Sequence, residues 1–153
     1  ILVVINNLLA LAVEQAIRVA SDEEMEAICA ATRPFYQQQL GHLEHGLARI
    51  NLLQTAMQAS KNLPLQLIAR SLFEQFAPNM EPLTDFVQTD HTTYATYAKK
   101  LEDALQARDT DAVRETIEAF AALNRESLIK AYTAAQSTTT HSTGQPLQEM
   151  ASS

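Results

Sequence analysis

An all-helical fold is what this sequence predicts, and three observations predict it. Only three glycines and five prolines interrupt 153 residues, while 46% of the chain is apolar and Ala, Leu, Gln and Glu abound, a composition of good helix formers. The stretch from Tyr97 to Tyr132 reads as two long amphipathic helices joined by almost no loop. No strand signal and no internal repeat occurs along the chain. The length is that of one domain with a hydrophobic core, spanning about residues 1–136, followed by a polar tail over 137–153.

The first helix covers about residues 2–20. Ser21 and Glu24 form a capping box, in which Ser21 caps forward and Glu24 reaches back, so the second helix starts there. Pro34 breaks or kinks that helix, because its ring removes an N–H donor. After Gly41 the third helix runs to about Ser60, with Leu43, Leu47, Ile50, Gln54 and Met57 on one face. Asn62 caps the fourth helix, which carries Pro64 in its first turn and extends to Phe76. Pro78 and Pro82 bracket a turn, and a short helix runs from Pro82 towards Val87.

The fifth helix starts near Asp90 and carries an apolar stripe of Tyr94, Ala98, Leu101 and Leu105. Asp109 caps the sixth, and Asp111 adds negative charge near the positive end of its dipole. The sixth helix covers roughly 110–136 with a stripe of Val113, Ile117, Phe120, Ala121, Asn124 and Leu128. Asn124 interrupts that stripe, so either the core or a ligand has to satisfy its amide. From Ser137 onwards the chain is polar and aperiodic, which predicts a disordered tail.

A net charge of −7 argues against nucleic-acid binding by this piece alone, since DNA affinity rests on Lys and Arg neutralising phosphates. Anionic membranes are disfavoured for the same reason. The opening ILVVINNLLALAV has no basic residues before it and is interrupted by Asn6 and Asn7, so it reads as neither a signal peptide nor a membrane span. It begins inside a helical pattern, which predicts a preceding N-terminal part. The lone Cys29 excludes an internal disulfide, fits a reducing cytoplasmic setting and reads as a small buried hydrophobe.

Three motifs, in order, carry a resemblance. Ala16 to Met25 reads A-x-x-x-A-S-D-E-E-M, Ala59 to Asn62 reads A-S-K-N, and Ala104 to Asp109 with Ala112 reads A-L-Q-A-R-D-x-x-A. Together they resemble the C-terminal effector domain of GntR-type bacterial transcription regulators, the FadR/FCD subfamily, over about residues 2–136. Lys61 stands where that family has a glycine. The resemblance implies an antiparallel six- or seven-helix bundle of the FadR C-terminal/FCD type. It implies a homodimer that holds a small acidic or acyl effector, with DNA bound only through a winged helix-turn-helix domain preceding this chain. An apolar surface from the first and fourth helices, including Leu65, Ile68 and Leu72, is the candidate dimer contact.

Many members of that family hold a central divalent metal with one Asp and three His. The corresponding positions here are Arg49, Leu53, Ala98 and Phe120, none of which supplies a metal donor at neutral pH. The expectation is therefore no metal cofactor, and a place in the FadR branch of the family, where an acyl-CoA is recognised without one. An acyl-CoA, a fatty acid or a small carboxylate is the implied effector class.

The candidate effector-binding residues are Arg49, Leu53, Tyr94, Tyr97, Ala98, Leu101, Phe120, Ala121 and Asn124. A guanidinium at position 49 would clamp a carboxylate or phosphate in bidentate fashion in place of the metal. Its plainer role is a solvent-facing arginine paired with Glu44 or Glu126. Tyr94 and Tyr97 are read as core or interface aromatics with hydroxyls at the edge, or as effector contacts. Ala98 and Ala121 are small enough to leave room for an acyl or aromatic group.

His42 and His45 share a helical face and are read mainly as partly exposed histidines, a metal pair being the rarer reading. No nucleophile elbow, Gly-rich phosphate loop or paired acid in an apolar context occurs, so nothing asks for an enzyme. The leading expectation is an effector-binding and dimerisation domain, and the alternative is a helical interaction module with a filled core and no ligand.

Overall fold

The computed structural model describes residues 2–80 and 90–142. They form α1 (Leu2–Val19), α2 (Asp22–Thr32), α3 (Pro34–Gln37), α4 (His42–Ala59), α5 (Leu63–Met80), α6 (His91–Gln106) and α7 (Thr110–Ser142), with no strand among the described residues. The chain is an all-α helical bundle. The short helix expected over 82–87 lies outside the described residues.

Side-chain caps set the helix starts. Glu24 N donates to Ser21 Oγ at 3.1 Å while Ser21 N donates to Glu24 Oε1, closing the capping box of α2. Asn62 Oδ1 accepts from Leu65 N at 3.1 Å, Asp90 Oδ1 from Thr93 N at 3.0 Å and Asp109 Oδ1 from Ala112 N at 3.1 Å. Arg33, between α2 and α3, keeps helical angles of −62° and −38°, so Pro34 interrupts the bonding ladder without opening a loop.

Helix α1 packs on α7 and α4, α2 packs on α4 and α6, and α3 and α7 flank α6. Pairings along α2 run against α6: Arg108, just past the end of α6, meets Asp22, Cys29 meets the Glu102 backbone, and Phe35 meets Tyr94. Three interhelical joints gather at one end. There Arg108 donates to the carbonyls of Ile17 (2.8 Å) and Ala20 (3.0 Å), and Lys61 pairs with Glu24 at 3.2 Å. Lys61 (φ 55°) and Arg108 (φ 50°) both adopt the left-handed conformation that glycine favours, each turning the chain sharply out of a helix. The core between these elements is built from Val13, Ala16, Ile28, Leu101, Leu105, Val113 and Ile117.

Four expectations need correction. The face of α4 that turns inward carries His45, Leu52, Leu53, Ala56 and Met57, whereas Leu43 (72% exposed), Leu47 (57%), Ile50 and Gln54 point outward. Helix α4 therefore carries two apolar stripes, and the more regular one is not the core stripe. Leu65, a candidate dimer contact, is only 4% exposed and belongs to the core. Helix α5 continues past Phe76 to Met80 and carries Pro78 in its last turn at the loss of one backbone N–H donor. Helix α7 continues past residue 136 to Ser142, into the segment expected to be tail. Its hydroxyls bond back along the helix, Ser137 to the Thr133 carbonyl at 3.0 Å and Thr138 to Ala134 at 3.1 Å, so polar residues are accommodated without leaving helical conformation. No helix among the described residues is long and apolar enough to cross a membrane.

Candidate functional site

At the end of the bundle opposite the three joints, α3, α4, α6 and α7 converge on one aromatic ring. Positions 45 and 49 lie one turn apart on α4, so His45 and Arg49 share a face, and Arg49 Nε donates to His45 Nδ1 at 3.1 Å. The Arg49 guanidinium lies over the Tyr94 ring, 4.7 Å from its centroid. The Tyr94 ring also meets His45 edge-on at 4.5 Å, Phe120 at 4.7 Å and Phe35 at 5.4 Å. Its hydroxyl donates to Asn124 Oδ1 at 3.2 Å, so the core supplies a partner for the oxygen of the amide that interrupts the α7 stripe. Burial pushes the Tyr94 phenol above its ordinary range, with the Arg49 charge and the Asn124 bond acting in the opposite direction.

Arg49 is half-buried. Three arginines among the described residues are half-buried, and two of them meet carboxylates: Arg33 with Glu26 and Glu102, and Arg108 with Asp22. Arg49 meets none among the described residues. Neither acid proposed as its surface partner is engaged there: Glu44 accepts from Gly41 N, and Glu126 pairs with Lys130. Among the described residues Arg49 meets the π-face of Tyr94 and the Nδ1 acceptor of His45, which orient the cation without supplying a carboxylate.

The other sequence candidates divide by position. Leu53, Ala98, Leu101 and Phe120 are buried in the core, Ala98 and Leu101 almost completely. Tyr97 is half-buried, with its ring 6.0 Å from Phe120. Ala121 is half-buried beside Phe120 in sequence but turned about 100° away around the helix. So Arg49, Tyr94, Phe120 and Asn124 come together directly, Tyr97 joins through Phe120, and Ala121 stands apart.

Sequence reasoning underrated two members of the cluster. His45 is 3% exposed, not a partly exposed surface histidine, and its usable signal was the i, i+4 spacing to Arg49. Phe35, buried in the single turn of α3, stacks on both His45 and Tyr94. The exposed His91 ring lies 5.6 Å from His45. Among the described residues no group of three or more His, Cys, Asp or Glu side chains is placed to hold a metal ion.

A second polar cluster also escaped the sequence. The Glu102 carboxylate, 4% exposed, accepts from Arg33 Nε at 3.1 Å and from the Tyr36 hydroxyl, with Lys99 Nζ at 3.8 Å. These partners compensate a buried charge and staple α2, α3 and α6 together. That hydrogen bond and burial both raise the Tyr36 phenol. Burial, reinforced by Glu26 and Glu102, pushes the nearby Cys29 thiol up to about 11, which leaves it a poor nucleophile at neutral pH.

Two open grooves flank the cluster. One of about 610 Å³ runs between α6 and α7 past Tyr97, Ala104, Ala112 and Thr116. The other, of about 560 Å³, runs between α4 and α5 over Ile50, Leu53, Met57 and Phe73. Neither is lined by Arg49, Ala98 or Asn124. Comparison of the chain with protein-family models, with curated proteins and with solved structures returned no match.

Proposed function

We propose that this chain is the effector-binding and dimerisation domain of a cytoplasmic transcription regulator of the GntR/FadR type. It takes a small anionic or acyl ligand without a central metal, and it acts by binding rather than by catalysis. The observation that carries this reading is Arg49, a half-buried guanidinium held on Tyr94 by His45 with no carboxylate beside it among the described residues. Leaving a cation partly desolvated and unneutralised is costly unless an anion completes it. The guanidinium fork suits a carboxylate or phosphate, and the rings around it suit an acyl or aromatic body.

A net charge of −7 gives an anion no long-range attraction, so recognition rests on local contacts to this fork. An anion there would touch α4 directly and bear on α6 and α7 through Tyr94 and Asn124. Binding would shift the population of bundle arrangements, and so the spacing of any DNA-binding domains attached to a homodimer. DNA contact itself belongs to a winged helix-turn-helix domain in this reading.

Thermal denaturation of the chain against a panel of acyl-CoAs, fatty acids and small carboxylates tests the proposal. A binder at about 100 times its dissociation constant adds roughly 2.7 kcal/mol. A melting temperature that no panel member moves argues for the second reading, an interaction module with a filled core. That reading has its own support, since the rings of Phe35, His45 and Phe120 all pack on Tyr94.

A further inference from the structure

His45 enters the site described above only as a support for Arg49, yet it is itself a buried titratable group, 3% exposed. It ends the first turn of α4, one turn before Arg49. Arg49 Nε donates to its Nδ1 at 3.1 Å, and the rings of Phe35 (5.1 Å) and Tyr94 (4.5 Å) hold the imidazole beside that donor. A guanidinium never accepts, so the bond requires a lone pair at Nδ1. Imidazole with its proton on Nε2 supplies one, and imidazolium does not. The contact that orients Arg49 therefore exists in one protonation state of His45 and is lost in the other.

Among the described residues, the titratable or charged groups facing His45 are Arg49 on its own helix and Tyr94 and His91 on α6. Helix α3 contributes the uncharged ring of Phe35. Burial keeps the Tyr94 phenol protonated and neutral. His91 is exposed, with its ring 5.6 Å away, and Asp90 beside it accepts from Thr93 N at 3.0 Å and Thr93 Oγ1 at 2.7 Å. A proton on His45 would set two cations one turn apart on α4, which costs free energy. An anion on the Arg49 fork reverses that balance. It attracts the second positive charge and can accept from a protonated Nδ1.

We propose that anion binding at Arg49 is coupled to uptake of a proton by His45, so that the site binds more tightly as pH falls through the histidine range. This rests on the Arg49 anion site proposed above and adds its regulation. The proton comes from solvent and resides on Nδ1, which changes from acceptor for Arg49 to donor for the anion. Coupling is reciprocal: an anion that favours charged His45 is favoured by it to the same extent. Charged histidine gains population below about pH 6.5, so affinity rises towards acid and levels off in alkali.

Octanoate titrated calorimetrically into the full chain at about pH 5.5 and about pH 7.5 is the test, a carboxylate largely ionised at both. The parent and His91→Gln are each expected to bind at least about 10-fold more tightly at the lower pH. In His45→Gln, whose side-chain oxygen still accepts from Arg49 but does not titrate, the two affinities should agree within about 2-fold. Nuclear magnetic resonance of histidine-labelled parent reads the same event without a substitution. His45, identified by Overhauser contacts to the Phe35 and Tyr94 rings, should have an unprotonated Nδ1 in the free chain at about pH 6.5 and gain a proton there under saturating octanoate.

Equal parent affinity at the two pH values overturns the coupling and leaves the anion site standing. A His45 Nδ1 that stays unprotonated under saturating octanoate does the same. A pH dependence kept by His45→Gln, or lost in His91→Gln, overturns the coupling by assigning the proton elsewhere. Octanoate that binds at neither pH overturns both the coupling and the reading of Arg49 as a carboxylate anchor.

Discussion

The Tyr94 hydroxyl donates to Asn124 Oδ1 across 3.2 Å and so ties α6 to α7 at the ring that carries Arg49. One side chain thus serves as a core aromatic, a hydrogen-bond donor and a platform for a cation. Because burial keeps its phenol protonated well above neutrality, the donor role holds throughout the physiological range.

Replacing Tyr94 by Phe should cost about 1 kcal/mol, since the half-buried amide of Asn124 loses its partner while the ring stays in place. Asn124→Leu should cost a similar amount by stranding the hydroxyl. The double variant should lose less than the sum, with a coupling of at least about 0.5 kcal/mol in urea unfolding. Strict additivity would mean that the bond contributes nothing to stability.

The two left-handed joints should respond differently to glycine. Lys61→Gly relieves an unfavourable backbone conformation and loses an exposed ion pair and a long, exposed bond of 3.5 Å to the Val19 carbonyl, so stability should stay within about 1 kcal/mol of the parent. Arg108→Gly gains the same relief but strips the carbonyls of Ile17 and Ala20 of their donors, and a net loss of about 1–3 kcal/mol is expected. Equal melting temperatures for the two variants would show that Arg108 does not hold the end of α1.

Stability should fall in alkali, with Cys29 contributing measurably. The unfolded thiol ionises near its ordinary value of 9.0, while the folded one is held up to about 11. A raised folded value favours the protonated, folded form, so its contribution is intact below pH 9 and lost as pH rises from 9 to 11. The loss approaches about 2–3 kcal/mol. Cys29→Ala should flatten the profile over that window, whereas a slope identical to the parent's would place the effect elsewhere, with Tyr36 and Tyr94 the next groups held up by the fold.

Helix limits were legible wherever a local side-chain bond sets them, as at Ser21, Asn62, Asp90 and Asp109, because a cap depends on neighbours in sequence. The inner face of α4 was not. Its stripe of Leu43, Leu47, Ile50 and Gln54 has better periodicity than the true core stripe, which is broken by His45 and Arg49. Glu102 was illegible for the opposite reason. It sits among Lys99, Lys100 and Asp103 in what reads as a solvated face, and its burial depends on Arg33 and Tyr36, more than sixty residues away.

In the candidate site, Arg49, Tyr94 and Asn124 could each be singled out by residue type and stripe position. Their mutual contacts could not, since these join three helices and depend on which face α4 turns inward.

The most direct test of the account is a calorimetric titration of the parent and of Arg49→Gln with those acyl-CoAs, fatty acids and carboxylates that stabilise the parent. The account predicts that the parent binds at least one anion and that Arg49→Gln weakens this at least about 10-fold, with the unliganded melting temperature nearly unchanged. Equal affinity in both proteins, or no binding by the parent, would contradict the claim that Arg49 is an anion anchor.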